Sequence, residues 1–254
     1  MSDTGPTATN DLSSTPSHWG FWATTGLGVA VLIAFLVIQS LVGLPFSIAM
    51  MAENPGMPTA ELARMLNANA EYIAAALIAT GTFGTLLVVA CAWLRRGVGV
   101  RDYLAITAPG GRMLALWLAA IIVFVALLEA MTVLLGREGP EFVVDLYANV
   151  RFPFLLALGT VIGAPLFEEV FFRGFLHAGW SRSRLGVAGT VLLTSLLWAL
   201  MHIQYGIYEI AQIFALGVVL GVARVQSGSL AVPLAMHALV NLIAHIQAMY
   251  MVSG

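Results

Sequence analysis

Large apolar residues in this chain do not alternate with polar ones; they come in long unbroken runs separated by mostly short polar connections. At about 20 apolar residues per membrane crossing, the runs predict seven spans, at about 20–43, 72–94, 112–135, 152–176, 185–203, 207–224 and 230–250. The expected fold class is all-α: a polytopic membrane helix bundle of seven or eight transmembrane helices. Two connections, 44–71 and 136–151, are long enough for an interfacial helix or an eighth short segment. Residues 1–17 are rich in Ser, Thr, Pro and Asp and have too few large apolar groups to order themselves, which predicts a disordered tail. They lack the basic flank of a secretory signal, so the first run is expected to be a retained span. Residues 18–254 then form a single transmembrane domain.

Composition supports the membrane reading. The chain is 60% hydrophobic and 9% charged, whereas soluble domains are roughly 45–50% apolar and about 25% charged. With 11 basic residues against 13 acidic ones, no basic stripe is left to neutralise phosphates, and nucleic acid is excluded as a partner. All the bases are Arg, which excludes a Schiff-base lysine. The single cysteine, Cys91, can form neither an internal disulfide nor a multi-thiolate metal site.

Arginine placement orients the spans, since cytoplasmic loops are enriched in bases near helix ends. Arg95, Arg96, Arg101, Arg112, Arg182, Arg184 and Arg224 fall on one side; Arg64, Arg137 and Arg151 on the other are diluted by Glu53, Glu61, Glu138, Glu141 and Asp145. This predicts a cytoplasmic N-terminus. The all-arginine base content points to a prokaryotic plasma (inner) membrane.

A charge at bilayer depth costs about 2.5–3.5 kcal/mol on insertion scales, which makes each one a functional candidate. Apart from Glu129, these charges cluster late in the chain. Span four holds Glu168, Glu169 and Arg173; span five ends with Trp198 and His202; span seven holds His237 and Asn241, followed by His245. Glu169 and Arg173, four apart, share a helix face and can pair. Glu168 points about 100° away, since a helix turns once in 3.6 residues, so it is left free to act as a base. His237 and Asn241, also four apart, present two donors suited to a developing oxyanion. Pro165 and Pro233 are expected to kink their spans beside these groups.

The order Glu-Glu-x-x-x-Arg, aromatic-x-x-x-His and His-x-x-x-Asn on successive membrane helices resembles the CPBP family, the type II CAAX prenyl proteases and bacteriocin-processing (Abi) endopeptidases. The resemblance covers about residues 150–250, which would be the catalytic core; Trp198 stands where the family usually has Phe. It implies an intramembrane endopeptidase that hydrolyses a peptide bond of a membrane-associated, prenylated or C-terminal peptide. In that reading Glu168 is the general base, His202 positions water or binds a metal, and His237 and Asn241 hold the oxyanion. Glu169 and Arg173 are supporting groups. No cofactor is favoured. The chain has no His-Glu-x-x-His motif, but Glu168, His202 and His237 supply the residue types of a catalytic zinc site. The expected partners are the lipid bilayer and a membrane-associated protein or peptide.

Three rival readings share these residues: a catalytically inactive scaffold or immunity protein, a proton relay through Glu129, Glu168 and His237 in a transporter, and a haem held by His202 and His237. Depth poses a difficulty for the protease reading. Counted at about 1.5 Å per residue, Glu168 lies well above the turn near Ser181, and His237 rises much less above Ser229. The groups meet only if helices tilt or the turn at Gly228 lies deep.

Overall fold

The computed structural model describes residues 18–137 and 141–253. The tail expected at 1–17 lies outside them. The described residues are helical, in chain order α1 (Phe21–Glu53), α2 (Thr59–Asn67), α3 (Ala70–Trp93), α4 (Val100–Leu104) and α5 (Gly111–Leu134), then α6 (Glu141–Ala148), α7 (Pro153–Trp180), α8 (Gly186–Leu200), α9 (Ile207–Ser227) and α10 (Ala231–Ser253). Six of these are long and apolar enough to cross a membrane, and α8 is a shorter apolar helix.

Spans two to seven fall close to their expected places, whereas the first runs ten residues further than expected. Pro45 does not end α1, which continues to Glu53; a proline ring removes one hydrogen bond but leaves φ helical. Among the described residues, the two long connections carry the short helices α2 and α6 and no eighth span. Neither proline beside the candidate chemistry breaks a helix. Pro233 sits in the first turn of α10, where no intrahelical N–H is needed, and Pro165 lies inside the continuous α7.

Irregularity in α7 comes instead from π-helical turns, Leu158–Gly163 and Glu169–Leu176, and α3 carries another at Thr80–Gly84. Glycines explain where they cross. A Cβ on Gly81 would lie 2.6 Å from Gly163 Cα, and one on Gly163 would lie 2.7 Å from the Leu77 carbonyl oxygen. Backbone thus packs on backbone between α3 and α7, as small residues permit in membranes. Gly217 and Gly221 let α9 approach α8 against Ser195, Trp198 and Val191 in the same way.

The buried core centres on α7, with Phe167, Phe171, Phe172 and Phe175 packed among Tyr103, Trp198, Leu220 and Met236. Large apolar side chains along α1 and α5, including Ile33, Leu36, Leu41, Leu116, Val123 and Leu127, face outward, as a lipid-contacting surface requires.

The turn at Gly228 resolves the depth difficulty. Gly228 closes α9 in the left-handed region at φ 65°. The turn then seats on the segment after α4: Leu230 N donates to Ala105 O at 2.9 Å and Ser229 Oγ to Thr107 O at 2.5 Å. Both Leu104 and Leu230 close on Gly174, so the turn lies level with the middle of α7's second π-helical stretch, well inside Ser181. The rise from Leu230 to His237 then matches the distance from Gly174 back to Glu168.

Candidate active site

The pairing expected from spacing is present and deeply buried. Arg173 Nη1 donates to Glu169 Oε1 at 3.0 Å, with the two side chains 1% and 0% exposed. Its Nη2 donates to the Gly217 carbonyl at 3.2 Å, and the guanidinium carbon lies 4.7 Å from the centre of the Trp198 ring. A buried ion pair of this kind is tolerable only because the charges face one another and further hydrogen bonds engage them.

His237 joins the pair from α10. Its Nδ1 lies 2.9 Å from Glu169 Oε1. A carboxylate only accepts, so Nδ1 carries the hydrogen and Nε2 faces the other way. That Nε2 is 3.9 Å from Glu168 Oε2, too far for a direct hydrogen bond.

Glu168, with a side chain 13% exposed, is the accessible acid of the two. It does not pair with Arg173, as the helical geometry predicted, and Trp198 Nε1–H donates to its Oε2. The indole is the centre of the site. His202 and His237 both pack edge-on to it, with ring centres at 5.2 Å and 5.1 Å. A haem between those two imidazoles would need the space that Trp198 occupies.

His202 lies in the turn just past α8, not within the helix. Its Nδ1–H donates to the Trp198 carbonyl at 2.9 Å, capping the helix end, and its ring stacks towards Tyr205. Asn241 is not engaged with His237. Its Nδ2 donates to the Thr160 carbonyl at 2.7 Å, one of the backbone acceptors in the first π-helical stretch of α7. Among the described residues, no group of three His, Cys, Asp or Glu side chains is arranged to hold a metal ion. Glu129 lies on the exposed side of α5.

Two contributors were missed in the sequence. Burial, with Tyr147 and Glu168 nearby, pushes the Tyr205 phenol up to about 12, so it stays a neutral hydroxyl beside the site. Tyr147 on α6 hydrogen-bonds His245 Nδ1 at 2.7 Å and closes the same end of the bundle. Their only signal in the sequence was an aromatic residue in a connection otherwise short of them.

The comparisons concern this C-terminal region. Residues 150–243 match the family model described as Rce1-like, type II CAAX prenyl endopeptidase. A curated Escherichia coli relative, an "Uncharacterized 24.3 kDa protein", is 36% identical over 107 residues, which make up 41% of this chain and 49% of the relative. The chain thus spans about half the length of that relative. No solved structure matches significantly.

Proposed function

We propose that this chain, whose residues 150–243 match the Rce1-like, type II CAAX prenyl endopeptidase family model, is a membrane-embedded endopeptidase with Glu168 as its general base. The observation that carries this reading is the contrast between adjacent acids. Glu169 is sealed by Arg173 and His237, while Glu168 is partly accessible and hydrogen-bonded by the Trp198 indole.

In the reaction, Glu168 takes a proton from water as the water oxygen bonds to the scissile carbonyl carbon. The C–N bond then breaks, and the same carboxyl returns the proton to the departing amine, a role matched to a carboxylate within hydrogen-bond reach of both. The second amide hydrogen of Asn241 is assigned to the developing oxyanion, together with His237, whose Nε2 donates there in the imidazolium form while Nδ1 is held by Glu169. Trp198 and His202 position Glu168 and the turn above it. No step needs a metal.

Helix length supplies access. The 15 residues of α8 cover only about 22 Å, short of a hydrocarbon core of about 30 Å. The turn bearing His202 is therefore recessed into the membrane over Glu168, where a peptide can reach it from the bilayer. The substrate class is a membrane-associated peptide. The arginine-rich end, which includes the N-terminus of α1, is assigned to the cytoplasm on the charge rule.

The test is a comparison of membrane proteomes from cells carrying wild type or Glu168→Gln. A precursor that accumulates only with the variant is expected, and its peptide then serves as substrate for the purified protein. Wild-type cleavage by purified Glu168→Gln would sink the assignment of Glu168 as the base, and a membrane proteome unchanged by the variant would favour the scaffold reading.

A further inference from the structure

At the arginine-rich end, remote from the Glu168 carboxylate, a cavity of about 370 Å³ opens between the start of α1, α4, the end of α7 and the end of α9. Its walls include His18, Asp102, Tyr103, His177, Arg182 and Arg224. Arg224 is 9% exposed. Its Nε donates to the Arg173 carbonyl at 3.2 Å, yet among the described residues no carboxylate lies within ion-pair distance of its guanidinium. Arg182 likewise donates one N–H to a carbonyl, that of Ala178 at 2.6 Å, and has no carboxylate partner among the described residues.

Asp102 lines the same cavity without pairing with either arginine. His18, against the Tyr103 ring, supplies no counter-charge, since an imidazole carries no negative charge; burial, then Arg182 and Arg95, hold it below its ordinary value. The cavity therefore holds two guanidinium groups against one carboxylate. A guanidinium so far out of water without a counter-charge is costly, and the remaining N–H donors suit the bidentate geometry of phosphate oxygens.

We propose that this cavity binds a phosphate group, supplied by the headgroup of an anionic phospholipid. Basic pockets between membrane helices on the cytoplasmic side bind such headgroups, and this one opens where the start of α1 meets the ends of α7 and α9. The proposal does not depend on the protease reading, because none of the lining side chains contacts Glu168.

The experiment uses the full chain, purified in detergent and stripped of lipid, and titrated with phosphatidylglycerol or phosphatidylcholine under native mass spectrometry. Phosphatidylglycerol should be retained in preference. Arg182→Gln should weaken that retention by about tenfold, the loss expected for one charge-assisted hydrogen bond. Asp102→Asn, which removes the opposing charge, should strengthen it. Glu168→Gln should bind as wild type does, which separates this site from the catalytic reading.

If Arg224→Gln fails to fold, the more exposed Arg182 still decides the matter. Equal retention of both lipids, unchanged by Arg182→Gln, would overturn the proposal. Inorganic phosphate alone raising the melting temperature as much as short-chain phosphatidylglycerol would overturn the lipid as the source.

Discussion

Two spans of this protein each carry glutamate in an apolar helix, and the bundle treats them in opposite ways. In α5, 6% of the most apolar stretch is buried and Glu129 faces outward near the helix end; in α7 the figure is 44%, and Glu169 is completely covered. Hydrophobicity does not separate them. The difference is the glycine series at 159, 163 and 174, which lets α3, α4 and the Gly228 turn close on α7, while α5 presents large aliphatic groups to its surroundings. A charge near a helix end can reach the membrane surface along its own stem. A charge in the middle of a packed span must find partners inside the protein.

The largest expected difference is catalytic. Glu168→Gln should lower the turnover of the precursor peptide by at least about 100-fold, the scale of a lost general base, whereas Glu129→Gln should leave it unchanged. A comparable loss with Glu129→Gln would show that α5 takes part in the chemistry.

Next comes stability. Arg173→Met should cost about 3–5 kcal/mol, because it leaves Glu169 buried without its cation, and Arg173→Met with Glu169→Met should recover part of that. Melting temperatures in detergent provide the readout; a single variant as stable as wild type would mean that the pair is not desolvated as the structure has it.

The glycine crossing should come third. Gly163→Ala forces a methyl to within 2.7 Å of the Leu77 carbonyl oxygen and should cost about 1–3 kcal/mol of overpacking strain. Ala126→Leu, on the exposed face of α5, should be close to neutral in the same assay. If the two melt alike, close backbone packing is not what distinguishes the spans.

Smallest is Trp198→Phe, which keeps the ring but removes the N–H donor to Glu168. Turnover should fall about tenfold with KM unchanged, since the indole positions the carboxylate and does not touch substrate. A raised KM with unchanged kcat would instead give Trp198 a role in binding.

Much of this arrangement was legible in the sequence. Run lengths placed six of the seven spans closely, and the four-residue spacing of Glu169 and Arg173 predicted their ion pair. Where the reading failed, the cause was a contact between helices. Helical geometry showed Glu168 turning away from Arg173 but could not show Trp198 arriving from α8, although tryptophan in place of the usual phenylalanine was the available sign. The spacing of His237 and Asn241 also did not show that Glu169 holds Nδ1 of the first and that the Thr160 carbonyl takes one amide hydrogen of the second.

By itself, then, the sequence determined the membrane class, the approximate span order and the residues available for chemistry, because transfer energies and helix periodicity act within a single segment. The tertiary structure alone decided that His237 joins Arg173 in sealing Glu169, that Trp198 reaches Glu168, and at what depth these groups meet. Those outcomes depend on how closely backbones approach at Gly81, Gly163 and Gly217 and on where the Gly228 turn seats. Such distances belong to pairs of helices, and no property of one helix contains them.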